Sequence, residues 1–267
     1  MQYSKGELRR AKTLELIKSH GKISLQEIVE VIGCSVATAR RDLDALEKAD
    51  AIIRTSGGAI YEGALLSSAA ELPFAAKRDY RRQDKERIAE AAADLVQEGD
   101  IICLTGGTTT FFIAKALKKH RNITIVTNAV NIAYELADAE DITVVVIGGV
   151  MRAKSYELSG PLAENVIDKI NITRMFLGVD GVSQNHGFTM HSELEARIAQ
   201  FMMDRSSEVY AVFDQSKLEK SALFTIVPLN QVTGVITDMQ LEGWFEQACR
   251  EQQIAIHTAR DHTASIQ

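Results

Sequence analysis

The chain has 267 residues, 46% hydrophobic and 25% charged, an ordinary globular balance with room for two domains. Its net charge of −6 excludes a uniformly basic nucleic-acid coat, though not a local basic face. Isolated Cys34, Cys103 and Cys249 exclude a disulfide framework and a cysteine metal site; with no apolar run of about 18 residues and no apolar core in MQYSKGELRR, a cytoplasmic, membrane-free protein is expected.

Residues 8–20 carry Leu14, Leu16 and Ile17 and read as a supporting helix. Ser24 with Glu27 forms a capping box for the next helix, whose apolar face is Ile28, Val29 and Ile32 and whose stop is Gly33. Ser35 caps a second helix running to about Lys48, with Ala39, Leu43 and Leu46 as a buried stripe. Ala37, Thr38, Arg40 and Arg41 lie off that stripe, early in the helix. Ile52-Ile53 and Ala59-Ile60-Tyr61 flank the turn Ser56-Gly57-Gly58 as a short hairpin, with Arg54 beside it. This order is that of a winged helix-turn-helix, which places its second helix in the major groove. The candidate DNA contacts are Ser35, Ala37, Thr38, Arg40, Arg41 and Arg54; sequence leaves open whether the arginines meet guanine or phosphate. The competing reading is a small helical domain that binds protein, with the arginines solvated. Residues 1–62 hold 10 basic and 9 acidic side chains, and the rest 20 and 27, so non-specific DNA affinity is expected to be modest and salt-sensitive.

Weakly patterned residues 63–75 read as a linker between a DNA-binding domain at 1–62 and a larger domain at 76–259, followed by a polar tail at 260–267. Dense charge at 78–87 (RDYRRQDKER) leads into the helical pattern IAEAAADLV. Apolar, largely β-branched runs at 100–104, 123–127, 143–147, 175–179, 209–213 and 232–237 alternate with helical stretches such as 109–120 and 130–136. Such alternation predicts a mainly parallel sheet covered on both faces, with ligands beyond the carboxyl ends of the strands. The loop Gly106-Gly107-Thr108-Thr109-Thr110 offers free N–H groups and hydroxyls to an anion, though it is neither a Walker loop nor G-x-G-x-x-G, and alone it reads equally as a tight turn. Thr127-Asn128, Gly148-Gly149, Gly178-Val179-Asp180-Gly181 and Asp214-Gln215-Ser216-Lys217 close later strands, and five polar strand ends together indicate a pocket. Lys217 is the natural countercharge for a phosphate, or else a solvated loop lysine.

With both halves laid out, the chain resembles the DeoR family of bacterial transcription regulators from about Leu8 to Asp238. The resemblance rests on SVATARRDL at 35–43, Gly57-Gly58-Ala59, 107–110, Thr127-Asn128, Gly148-Gly149, Gly160-Pro161, 178–181, Glu195-Ala196, 214–217 and Ile236-Thr237-Asp238. The Leu-Thr-Gly-Gly-Thr form of the first loop is similar to an amino-sugar, AgaR-like branch. The resemblance implies an α/β protein: an N-terminal winged helix-turn-helix and a C-terminal, mainly parallel, sugar-phosphate-isomerase-like sensor domain. It also implies homo-oligomers and repression relieved by sugar phosphates. Where many members have Asp-Ala-Gly-Thr-Thr, this chain has Thr105 and Gly106 in place of Asp-Ala; Ser56 replaces a frequent His, and Ala199 and Gln200 replace a basic pair. Pocket charge is then expected to rest on Lys217, or on Arg152 and Lys154.

The reading is a repressor of a carbohydrate-utilisation operon, a homodimer or homotetramer on double-stranded operator DNA, modulated by a phosphorylated sugar or amino sugar. Its effector would be held by Gly106, Gly107, Thr108, Thr109, Thr110, Thr127, Asn128, Asp180, Glu195 and Lys217. No catalytic residue, cofactor or metal is expected. The rivals are a sugar-phosphate isomerase or amino-sugar-phosphate deaminase using Asp180 or Glu195 as base, and a regulator whose signal is a protein.

Overall fold

The first helix, α1 (Lys5–His20), opens on a capping box in which Glu7 N donates to Ser4 Oγ at 3.2 Å and Ser4 N to Glu7 Oε2 at 2.7 Å. The computed structural model describes residues 4–49, 51–55, 57–61 and 74–259. Their contacts divide the chain after Tyr80 into two units.

In the first unit, β1 (Lys22–Ser24) leads into α2 (Leu25–Ile32), where Glu27 N donates to Ser24 Oγ and Ser24 N to Glu27 Oε2. Gly33 is left-handed at φ 69° and returns its N–H to Val29 O, ending the helix as its sequence predicts. Helix α3 (Val36–Lys48) is capped by Ser35, which accepts from Thr38 N. Strands β2 (Ile52–Thr55) and β3 (Gly58–Tyr61) form the wing, and β1 joins β3 to give the antiparallel order β1-β3-β2. Ile17, Ile28, Leu43 and Ile52 are fully buried where helices and sheet meet. Arg9 closes this core from α1, its Nε and Nη2 donating to the two oxygens of buried Asp42 at 2.5 and 3.1 Å. Helix α4 (Phe74–Asp79) contacts β2, and Tyr80 packs on Ile53 and Ile60. The division therefore falls later than the 63–75 boundary that composition indicates. Residues 63–73 of that linker, Ser56 and the 260–267 tail lie outside the described residues.

The second unit begins with α5 (Arg82–Ala93) and is built on a seven-stranded sheet of order β15-β14-β12-β9-β4-β5-β6, every adjacent pair parallel. Its strands are β4 (Ile101–Leu104), β5 (Ile123–Thr127), β6 (Ile142–Val146), β9 (Ile172–Gly178), β12 (Ser206–Val212), β14 (Gly234–Thr237) and β15 (Ala255–Thr258). Alternation along β4 sends Ile102 and Leu104 to one face, with Ile88 and Ile113, and Cys103 to the other, with Met175 and Met202. Both faces are thus covered by helices: α5, α6 (Thr108–Leu117) and α7 (Val130–Glu135) on the first, and α8 (Pro161–Ile167), α9 (Glu193–Asp204) and α10 (Gly243–Glu251) with the second core. Two additions escape the sequence pattern. One is the hairpin β7 (Val150–Arg152)–β8 (Glu157–Ser159); the other is a small antiparallel sheet of β10 (Gly181–Ser183), β11 (Gly187–Met190) and β13 (Phe224–Val227). The chain enters the sheet at β4, extends to β5 and β6 on one side, then places β9, β12, β14 and β15 on the other. The direction of winding reverses between β4 and β9, the place where parallel sheets open a ligand crevice. Among the described residues no helix is long and apolar enough to cross a membrane.

Candidate functional site

On α3 the buried stripe is Ala39, Leu43 and Leu46, and this rotation leaves Ser35, Ala37, Arg40 and Arg41 exposed and Thr38 half-buried. Among the described residues neither the Arg40 nor the Arg41 guanidinium has an ion-pair partner. Arg54 is occupied within the chain: its Nη1 donates to Asp44 Oδ1 at 2.6 Å and to the Arg40 carbonyl at 3.2 Å. It therefore braces the wing against α3.

In the second unit the loop after β4 is held from both sides. Thr105 Oγ1 accepts from Gly178 N at 3.0 Å, tying the loop to β9. Gly106 N donates to Asn128 Oδ1 at 3.0 Å, tying it to the end of β5. Thr127 Oγ1 donates to Leu104 O and accepts from Ala129 N, so that hydroxyl is spent on the two strand ends. Asn128 Nδ2 donates to Glu157 Oε2 at 3.0 Å and Leu158 O at 3.3 Å, which attaches the β7–β8 hairpin. Gly107, at φ 126°, then starts α6 with no side-chain cap. Thr108 and Thr109 are buried, and Thr110 Oγ1 donates to Gly107 O. An uncapped helix start at a parallel sheet's switch point presents N–H groups to an anion.

The remaining candidates lie beyond neighbouring strand ends. Asp180 Oδ2 accepts from His191 N and sits 2.8 Å from His191 Nδ1. Glu195, buried at the start of α9, accepts from Ser155 Oγ at 2.6 Å and lies 3.3 Å from Arg152 Nη1, so the hairpin supplies both of these partners. Lys217 follows β12, two strand spacings or about 10 Å from the β4 loop. Its charge acts on Asp214. Burial opposes ionisation of Asp214 most strongly, yet the Lys85 and Lys217 charges and hydrogen bonds from Ser216 outweigh it and hold the carboxyl below its ordinary pKa. Asp214 Oδ2 is buried with no hydrogen-bond partner, so a donor is lacking there. Beside it, Arg81 adopts a left-handed backbone at φ 49° and donates to Asp84 Oδ2. In the orientation its surroundings favour, the Gln215 amide oxygen accepts from Arg81 Nη1 and Nη2 at 2.6 and 2.7 Å. Burial pushes the nearby Asp238 carboxyl up, against a hydrogen bond from Gln215 N that lowers it.

The structure thus joins Gly106 to Asn128, Glu195 to Arg152, and Lys217 to Asp214. Sequence reading did not single out Lys85, whose charge acts on Asp214, or Glu157, which accepts from Asn128. Lys85 is only 3% exposed, and it occupies the stripe continued by Ile88, Ala89, Ala92 and Ala93. A lysine in phase with an apolar stripe was its signal, hidden in a charged run. Among the described residues no group of three or more His, Cys, Asp or Glu side chains is placed to hold a metal ion.

Comparison with known proteins gives consistent matches over both units. Residues 9–63 match the family described as DeoR-like helix-turn-helix domain, and residues 81–239 match DeoR C terminal sensor domain. The HTH-type transcriptional regulator IolR of Bacillus subtilis is 31% identical over 92% of this chain and 96% of its own. A protein of Escherichia coli O157:H7 named as an aga operon transcriptional repressor is 31% identical over 86% and 85%. The glycerol-3-phosphate regulon repressor of Escherichia coli K12 is 31% identical over 84% and 88%. Among solved structures, ribose 5-phosphate isomerase A of Methanocaldococcus jannaschii overlaps 52% of this chain and 55% of its own at 17% identity and a TM-score of 0.40, too distant a likeness to bear on activity.

Proposed function

The chain belongs to the DeoR family, and on that premise we propose that it is a DNA-binding repressor of a carbohydrate-utilisation operon whose sensor binds a phosphorylated sugar or amino sugar. The observation that carries the ligand reading is the uncapped start of α6 at the switch point, with Asp214 and Lys217 following β12 two strands away and the Lys85 charge acting on Asp214. The phosphate sits on the N–H groups of 107–110. The sugar reaches across β9 towards Asp180 and Asp214, whose unpartnered Oδ2 accepts a ligand hydroxyl or amine. In this reading Asn128 and Thr127 shape the loop, and Glu195 orients Arg152 at the mouth.

Ser35, Ala37, Thr38, Arg40 and Arg41 meet the operator, and Arg54 holds the wing in register with them. Two copies read two half-sites, and the ligand acts by favouring a domain orientation whose half-site spacing no longer fits. The protein turns over no substrate; the names of its relatives, all regulators, support this.

The test is thermal unfolding of the intact protein with sugar phosphates, amino-sugar phosphates and their unphosphorylated counterparts. It is paired with binding to the DNA upstream of its own gene. A midpoint rise confined to phosphorylated ligands, abolished in Lys85→Ala and accompanied by release of the DNA, is expected. No rise with any phosphorylated ligand sinks the sensor reading and leaves the DNA-reading surface standing.

A further inference from the structure

The first turn of α3 is apolar on its outer side. Val36 is 48% exposed, Ala37 is exposed beside it, and no charged side chain stands in that turn. The two hydroxyls there are occupied with the helix start: Ser35 Oγ accepts from Thr38 N at 3.2 Å and lies 2.8 Å from Thr38 Oγ1. Folding does not account for the valine. A β-branched residue is a poorer helix former than alanine, and nearly half of this one stays in water. Its position says more. Residues four apart on a helix share a face, so Val36 stands one turn ahead of Arg40, and Ala37 one turn ahead of Arg41. Asp44 continues the row of Val36 and Arg40, and Arg54 of the wing holds Asp44 at 2.6 Å. The wing thereby helps to fix the rotation of α3 and the direction of this row.

A duplex offers such a surface one apolar partner among its base edges. Guanine, adenine and cytosine present donors and acceptors in the major groove, whereas thymine adds a C5-methyl group. The N-terminal residues of a recognition helix are the ones that reach base edges. Against a base carbonyl or amino group a valine takes away water and returns no hydrogen bond. Against a methyl group it buries apolar surface on both partners. Val36 carries its methyls one bond further from the backbone than Ala37, so it reaches deeper.

We propose that Val36 is a specificity-determining residue of the operator interface and that it selects a thymine through the C5-methyl group. The proposal rests on the reading of α3 as the recognition helix. Arg40 and Arg41, one turn behind, are suited to phosphate or guanine, and thymine readout falls to the valine.

The test begins with duplexes selected by the intact protein from a random-sequence library. Each half-site should hold a fixed thymine. Every thymine of the selected duplex is then replaced in turn by deoxyuridine, which lacks the methyl group and keeps each donor and acceptor. At the fixed thymine, wild-type affinity should fall about fourfold, the value of one methyl-sized group taken from water. Alanine is the better helix former, so Val36→Ala leaves the fold intact. That variant should bind the thymine and deoxyuridine duplexes equally, and its own selection should lose the fixed thymine. If Val36→Ala keeps the fourfold difference, the proposal fails while the DNA-reading surface stands. If the wild type binds every deoxyuridine duplex as well as the parent, the valine packs on sugar or stays in water, and the proposal again fails alone. If the wild type enriches no sequence, the DNA-reading surface fails and takes the proposal with it.

Discussion

Two adjacent glycines in the wing should respond to the same substitution in opposite ways. A Cβ at Gly58 would sit 2.0 Å from the Ile23 carbonyl oxygen, 2.7 Å from Ser24 Cα and 3.0 Å from Ile23 C, all backbone atoms of β1. Ordinary carbon–oxygen contacts begin near 3.3 Å, so β1 must retreat by about 1 Å. Ser24 is paired directly with Gly58, and Ile23 with Ala59, so that movement stretches the β1–β3 ladder past hydrogen-bonding distance. Roughly two lost bonds at about 1 kcal/mol each, with about 1–3 kcal/mol of overpacking, bring Gly58→Ala to about 3–5 kcal/mol. A unit ending at Tyr80 has roughly 4–12 kcal/mol in total. A Cβ at Gly57 meets nothing within 4 Å and carries no left-handed φ, so Gly57→Ala should be neutral or stabilise by up to about 1 kcal/mol. Hydrogen exchange on the intact protein reads both. Gly58→Ala should accelerate exchange in β1, β3 and the Leu43 region by about a hundredfold or more, with the β4–β5 region unchanged. Equal exchange in the two variants would refute the steric argument.

Arg40→Ala and Arg41→Ala should each weaken operator binding and flatten its dependence on log salt by about 1 if the guanidinium meets phosphate; unchanged binding in both would remove α3 from the interface. Asp214→Asn removes the buried charge on which Lys85 and Lys217 act and should destabilise the second unit by about 1–3 kcal/mol at pH 7. The folded Asp214 carboxyl lies below its unfolded value, so its stabilisation is present above about pH 4 and is lost as pH falls through the folded value. The gap between wild type and variant should therefore close on acidification, and a constant gap from pH 7 to 3 would contradict this. Burial pushes the Cys249 thiol up to about 11 and the Cys103 thiol higher still, while Cys34 is half-buried. Alkylation of the native protein at pH 8 should modify Cys34 first and, because Ser35 caps α3 beside it, weaken DNA binding; rapid labelling of Cys103 would show that the core opens.

Much of this architecture is legible in local chemistry. Ser24 with Glu27, Gly33 and Ser35 mark helix ends through bonds only a few residues long, and the parallel strands announce themselves by β-branched runs. The exposed face of α3 follows, because burying Ala39, Leu43 and Leu46 dictates which side chains remain outside. Features that depend on distant approach stayed hidden. The β7–β8 strands are three residues each, too short for a period to show. Arg54 finds Asp44 only once the hairpin folds back on α3. Glu157 acquires meaning only from its nearness to Asn128, and no local pattern distinguishes Gly57 from Gly58. Lys85 was masked by its neighbours' charges, although its phase in the helix was correct for burial.

The placement of β4 at the point where winding reverses also bears on how the protein emerges from the ribosome. β4 is completed at Leu104, and β5 and β6 follow at once on one flank. Its other edge waits for β9, which begins only at Ile172. Throughout that interval the nascent sheet has an unpaired backbone edge, and the crevice has one wall. The DNA-reading unit, complete by Tyr80, precedes all of it. A chain interrupted between β6 and β9 would thus carry a finished operator reader with no finished sensor, a repressor without its release.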